Sequence, residues 1–186
     1  MRKQNWDNVQ EASEFERPTP GAYIAQIVNV EDNEEKEYLK IEYDFAEGNF
    51  KCYYADLYKA KGFWGGSFIR SYKEKALPFF KQFKTCLEVS NRGYFFEEEN
   101  LNAMCGRRIG IVLGEEEYRK NDGGIGTRLY VAQIRSVKAI ENGDFKVPDL
   151  KKLAPTGAVP AAAPSGYGAA SSGFMPLSDD DGELPF

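Results

Sequence analysis

Hydrophobic and polar positions along this chain follow two rhythms. At residues 22–30 (AYIAQIVNV), β-branched and aromatic residues crowd together after the turn-forming Pro18-Thr19-Pro20-Gly21, which reads as a strand. An acidic loop at 31–36 follows. Leu39, Ile41, Tyr43 and Phe45 then alternate with Lys40, Glu42 and Asp44, the period of a half-buried strand with its charges outward. Glu47-Gly48-Asn49 is turn chemistry, so residues 50–58 are expected to return as a third strand, in a hairpin with the second. The rhythm changes at Leu77, Phe80, Phe83, Lys84 and Leu87, spaced three and four apart. That spacing predicts a helix, with Pro78 suited to its first turn and Ser90-Asn91-Arg92-Gly93 to its end. Strands are expected again at 108–116, centred on Ile109, Ile111 and Leu113, and at 127–140, across a polar turn at 118–124.

The resulting order, β-β-β-α-β-β, is the element order of the OB-fold, a five-stranded Greek-key barrel, and a mainly β fold of that class is expected. Residues 1–20 are polar, with Trp6 and Phe15 as isolated apolar anchors, and read as an N-terminal arm. Beyond Leu153 the composition shifts abruptly to Ala, Pro, Gly and Ser, too poor in large apolar residues to build a core. The expected organisation is an arm at 1–20, a folded domain at 21–153, a linker at 154–177 and a closing peptide at 178–186. As a coil, the linker has a reach of about 25–30 Å.

Composition narrows the function classes. With 42% hydrophobic and 14% aromatic residues the chain is globular in character. No apolar run approaches the roughly 20 residues of a membrane span, and the polar start is no signal peptide, so no membrane partner and a cytoplasmic location are expected. Histidine is absent, which removes the commonest general base and metal ligand. Gly123-Gly124-Ile125-Gly126 lacks the Gly-Lys-Ser/Thr ending of a phosphate loop and reads as a turn. The acids of Glu115-Glu116-Glu117 show no ligand spacing, so a carboxylate–metal nuclease ranks far behind a binding protein. No catalytic residue, metal or cofactor is expected. Cys52, Cys86 and Cys105 are widely spaced and odd in number, and are expected to be buried, reduced thiols.

Charge points to one stretch. The net charge is −5, but from Ala154 onward there are four acids and no Lys or Arg, which leaves 24 bases against 25 acids before it. Within this near-neutral body, residues 50–84 hold eight bases (Lys51, Lys59, Lys61, Arg70, Lys73, Lys75, Lys81, Lys84) and two acids, Asp56 and Glu74. Tyr53, Tyr54, Tyr58, Phe63, Trp64, Phe68 and Tyr72 are interleaved with them. A single strand exposes base faces and phosphates together; rings stack on the first and cations neutralise the second. Single-stranded-DNA binding is therefore assigned to Lys51, Tyr53, Tyr54, Phe63, Trp64, Arg70, Tyr72, Lys73 and Lys75, with Arg119 and Lys120 of the polar turn. The competing assignment is core: rings in a small barrel more often pack than bind, and Phe79, Phe80 and Phe83 in the helix are given to the core. Trp64 is the leading single candidate, because Gly62, Gly65 and Gly66 flank it in what reads as a loop. Outward-facing Glu42 and Asp44 would repel phosphates from the second strand. An RNA-binding or purely protein-interacting module stays open as the alternative.

The chain closes on Ser178-Asp179-Asp180-Asp181-Gly182-Glu183-Leu184-Pro185-Phe186. A basic-rimmed apolar pocket could take the Phe186 ring, pair an arginine with its carboxylate and attract the aspartates. Asp179, Asp180, Asp181, Leu184, Pro185 and Phe186 are the candidate partner-binding residues. The same peptide could also cover the chain's own basic groove. It resembles the acidic tip of bacterial single-stranded-DNA-binding proteins, in which aspartates precede a Pro-Phe end, with the departure that Gly182-Glu183-Leu184 comes before Pro185 here. The body resembles a family of single-stranded-DNA-binding proteins from phages and prophages of Gram-positive bacteria. The likeness is carried by PTPGAY at 18–23, GFWGGSFIRSYKEKAL at 62–77, LGEEEYR at 113–119, RLYVAQIRSV at 128–137 and GDFKVPDL at 143–150. It implies a protein that coats single-stranded DNA during phage replication and recombination in the bacterial host cytoplasm. It further implies that replication, recombination and repair enzymes are recruited through the tip. Several barrels assemble in the bacterial relatives, so a homo-oligomer is admitted.

Overall fold

In the computed structural model of the chain, which describes residues 16–153, five antiparallel strands form one open sheet. Strands β1 (Gly21–Asn33), β2 (Tyr38–Phe45), β3 (Ser67–Ser71), β4 (Arg108–Arg119) and β5 (Ile125–Arg135) lie in the order β3-β2-β1-β4-β5. Helix α1 (Tyr53–Lys61) separates β2 from β3, α2 (Leu77–Ser90) separates β3 from β4, and the short α3 (Val137–Glu141) follows β5. The mainly β character and the helix between the third and fourth strands are as the sequence predicts.

β1 organises the sheet. Its residues 21–26 pair with β4 and its residues 25–33 pair with β2, with a register shift between Ile27 and Asn29. A bulge of this kind bends a strand and increases its twist, which lets one strand serve two neighbours at different angles. The inner positions Ala25, Ile27, Leu39, Ile41, Tyr43 and Phe45 meet Ile109, Ile111 and Leu113 of β4, Val131 and Ile134 of β5, and Phe83 and Leu87 of α2 in one buried cluster. Each large apolar side chain buried there contributes about 1.5–3 kcal/mol. Helix α2 packs on β3, β4 and β5, so it spans both outer strands of the sheet.

The structure corrects the expected strand at residues 50–58. Most of that segment is α1, whose Tyr54 and Leu57 face the core. Its N-cap residue, Cys52, has a positive φ of 61° and supplies no side-chain cap. The cap comes from β2 instead. Asp44, only 7% exposed, accepts N–H bonds from Tyr54 (Oδ1, 3.0 Å) and Ala55 (Oδ2, 3.0 Å), and from Phe45 (Oδ1, 2.8 Å). A carboxylate here satisfies donors that the first helical turn leaves open and sits at the positive end of the helix. Asp44 therefore points inward to α1, and the expectation that it faces solvent is wrong. Gly62 closes α1 in the left-handed conformation, donating its N–H to Tyr58 O at 2.8 Å.

Two further boundaries move. Residues 67–71, to which the sequence pattern assigns no element, form β3 on the edge beside β2. The fifth strand stops at Arg135 rather than running to residue 140, because Ser136 caps α3 by accepting the N–H of Ala139 at 3.2 Å. The three cysteines are free thiols, but Cys52 and Cys105 are exposed rather than buried.

Asp44→Ala is expected to leave two helix-capping donors without a partner at a buried site. That should cost on the order of 2 kcal/mol and lower the melting temperature by roughly 5–10 °C, followed by circular dichroism. Asp44→Asn, which keeps one acceptor oxygen, should recover part of the loss; equal melting of wild type and Asp44→Ala would refute the cap.

Candidate nucleic-acid interface

The residues assigned from sequence fall into three neighbourhoods. Around α1, Tyr54 is core: it is 8% exposed, stacks on Phe45 at 5.4 Å and meets the edge of Tyr43 at 5.5 Å. Burial raises the Tyr54 hydroxyl above its ordinary range and pushes Tyr43 up further. The assignment of Tyr54 to DNA is therefore corrected. Tyr53 is half-buried against Phe50 and Tyr54. Lys51 is exposed beside a cavity of about 340 Å3 that Gln26, Val28 and Gly106 also line.

Trp64 does not sit in a free loop. Its Nε1 donates to Gly66 O at 3.0 Å, and its ring lies 6.3 Å from both Tyr54 and Tyr58. The glycines beside it have a packing reason. A Cβ on Gly66 would come within 2.4 Å of the Tyr54 ring and 2.5 Å of Tyr43 O, so the backbone passes there only without a side chain. Phe63, at 54% exposure, is the free ring of the pair.

The second neighbourhood joins β3 to the start of α2. Arg70 is half-buried with its guanidinium 5.0 Å above the Phe68 ring, and Nη1 donates to Ile69 O at 3.0 Å. Desolvation lowers Arg70 to about 10, which leaves it charged at neutral pH. Tyr72 donates to Asp32 Oδ1 at 2.9 Å and meets the edge of Phe80 at 6.2 Å. Loss of solvent, then the bond to Asp32, pushes its hydroxyl up to about 12. Lys73 and Lys75 are exposed on the turn that leads into α2. Phe79, given to the core as a ring within the helix, is 48% exposed, whereas Phe83 is buried as expected. Leu77, Pro78, Phe80, Lys81 and Lys84 line a groove of about 520 Å3 together with Glu74 and Glu98. Among the described residues, Lys73, Lys75, Lys81 and Lys84 make no ion pair.

The third neighbourhood is the β4–β5 turn, where Arg119 and Lys120 are exposed. Close to it Glu116 pairs with Arg128 (2.8 Å) and Lys151 (3.5 Å), and Glu117 accepts the Leu153 N–H at 3.0 Å. Those acids tie the segment after α3 to β4. Among the described residues no group of three or more His, Cys, Asp or Glu is placed to hold a metal ion.

The outer face of β1 and β2 carries the opposite balance. Lys40 lies 3.1 Å from both Glu42 and Glu31, whose hydrogen bonds raise its pKa, so its charge is already matched. Glu42 does face outward, as expected. By contrast, the β3–α2 side carries Arg70, Lys73, Lys75, Lys81 and Lys84 with no ion pair among the described residues. Lys81, Lys84 and Phe79 belong to that surface and were not in the sequence-based site. The signal was present for the lysines, which belong to the basic stretch, and for Phe79 in its absence from the stripe of Leu77, Phe80, Phe83, Lys84 and Leu87.

Asp179, Asp180, Asp181, Leu184, Pro185 and Phe186 lie outside the described residues, as do Trp6 and Phe15. No helix among the described residues is long and apolar enough to cross a membrane. Compared with known proteins, the chain matches no family model and no curated sequence.

Phe63→Ala should leave the melting temperature within about 2 °C of wild type, as for an exposed ring outside the core. Trp64→Ala should lower it clearly, because a half-buried ring and its bond to Gly66 O are lost. A Trp64→Ala variant that melts like wild type would return Trp64 to the free, ligand-facing rings.

Proposed function

We propose that this chain is a sequence-tolerant single-stranded-DNA-binding protein, built on an OB-type barrel, that coats DNA in phage replication and recombination. The observation that carries the reading is the β3–α2 surface. There Arg70, Lys73, Lys75, Lys81 and Lys84 have no carboxylate partner among the described residues and sit beside the partly exposed rings of Tyr72, Phe79 and Phe80. Such a mixture suits a flexible strand, since every base has a face to stack and every phosphate a charge to neutralise. The strand order supports the OB-type reading: β1 is central and curved, β3 and β5 are outermost, and a helix covers the gap between them. The resemblance of residues 18–153 to phage single-stranded-DNA-binding proteins agrees with it.

The closing peptide completes the proposal. Asp179–Asp181 with Leu184-Pro185-Phe186 would recruit replication and recombination enzymes, and would compete for the basic surface when no partner is present. A second reading, a protein-interaction module, is favoured by the apolar groove at Leu77, Pro78 and Phe80.

Titration of tryptophan fluorescence with oligo-dT should show tighter binding than matched duplex or RNA, weakening steeply as salt rises. No preference for the single strand would sink the main reading and favour the second. Deletion of residues 178–186 should tighten binding at low salt and change little at high salt; unchanged affinity throughout would remove the competition by the tip.

A further inference from the structure

The open sheet leaves a seam between its outer strands, β3 and β5, and α2 lies across it. Three side chains mark the place. Arg70 shares the inward side of β3 with buried Phe68 and stands in register with Leu39 of β2. Arg135 is the last residue of β5, in register with Gly110 of β4, and its Nη1 donates to Ile134 O at 3.4 Å. Cys86 of α2 links the two: its Sγ donates to the same Ile134 carbonyl at 3.9 Å, and it follows by three residues Phe83, whose ring lies 6.2 Å from the Phe68 ring beneath Arg70.

Neither arginine has an ion-pair partner among the described residues. Each bonds only a main-chain carbonyl of its own strand, which occupies one of the five donors of a guanidinium. Both are half-buried, so the water that would otherwise solvate them is partly excluded. Two partly desolvated guanidiniums at one seam, without ion pairs among the described residues, offer free donors to an anion. The fork geometry of arginine suits a phosphate, which can accept two parallel N–H bonds from each side. Tyr72, Lys73 and Lys75 continue the chain from Arg70 toward exposed Phe79, so a strand held at the seam would run on over basic and aromatic groups.

We propose that the seam between β3 and β5, marked by Arg70, Arg135 and Cys86, grips a phosphodiester of the bound strand. The proposal rests on the single-stranded-DNA reading and adds a site to it. It also places the backbone of the strand away from the outer face of β1 and β2, where Lys40 is held by two glutamates.

The test is a titration of labelled oligo-dT by fluorescence anisotropy, with the full chain and its Arg70→Gln, Arg135→Gln and Arg70→Lys variants, at several salt concentrations. Each glutamine should weaken binding about five-fold at 0.1 M salt and reduce the salt slope measurably, the two together by about 0.7, the share of one phosphate on a single strand. Arg70→Lys should keep the slope, and so should carry the test with Arg135→Gln if Arg70→Gln does not fold. On a methylphosphonate oligomer, which has no backbone charge, wild type and variants should coincide. Equal slopes for wild type and both glutamine variants, with the single-strand preference intact, would overturn the seam and leave the general function standing. Loss of that preference in wild type would remove the function itself. Inorganic phosphate is the remaining arm: protection of wild type but not Arg70→Gln from thermal unfolding, with oligomer slopes unchanged, would make this a free-anion site and reject the nucleic-acid assignment.

Discussion

The double pairing of β1 is the constraint on which the rest of the molecule hangs. One strand of 13 residues hydrogen-bonds to β4 with its first half and to β2 with its second, and the bulge between Ile27 and Asn29 supplies the bend. With β1 in the middle, β3 and β5 are forced to the two margins of the sheet. Their apolar faces would stay wet unless something covered both, and α2 does so through Phe83 and Leu87. The position of α2 in turn decides which of its residues remain outside, among them Phe79, Lys81 and the groove beside Pro78. A candidate binding surface is thus the outer side of the element that seals the core.

Charge is divided along the same line. Several carboxylates of the body have structural tasks. Asp44 caps α1, Glu42 and Glu31 hold Lys40, Glu116 and Glu117 anchor the segment after α3, and Glu88 accepts the Phe96 N–H at 3.0 Å. Among the described residues the lysines along the β3–α2 side make no ion pair, although Lys84 lies 5.6 Å above the Phe96 ring. A protein with more acids than bases can therefore still present a locally basic face, because several of its acids are engaged elsewhere. Net charge is silent on this division, and the local count between residues 50 and 84 is what hinted at it.

Much of the sheet was legible because its strands obey simple alternation. Leu39, Ile41, Tyr43 and Phe45 line one face of β2, and Ile109, Ile111 and Leu113 one face of β4, as a period of two requires. The helix α2 was legible from its three–four spacing. Residues 50–58 misled, since Phe50, Cys52 and Tyr54 also alternate, while the helix is fixed by an aspartate ten residues from Tyr54 that no local rule connects to it. Gly62, an αL cap behind two lysines, was the local sign of a helix end that the aromatic density masked. β3 is only five residues long and follows two glycines, so it offered too short a pattern to separate from a loop. Of the site, the basic stretch was visible, but which ring packs and which is free depends on neighbours far along the chain. Gly66 illustrates the point. It reads as flexibility, and its role is to let the backbone pass under the Tyr54 ring.

Arg70 has one more consequence, at the level of the population rather than the single molecule. An edge strand offers unpaired main-chain donors and acceptors to any strand that approaches, and β3 is such an edge. A short strand whose inward side carries a charge is a poor template, because a second copy that paired with it would have to bury that charge without a counter-ion. The guanidinium proposed as an anion contact thus also makes β3 a poor edge for a neighbouring copy to pair with. Separate copies held at high local concentration would thereby be kept from joining sheet to sheet.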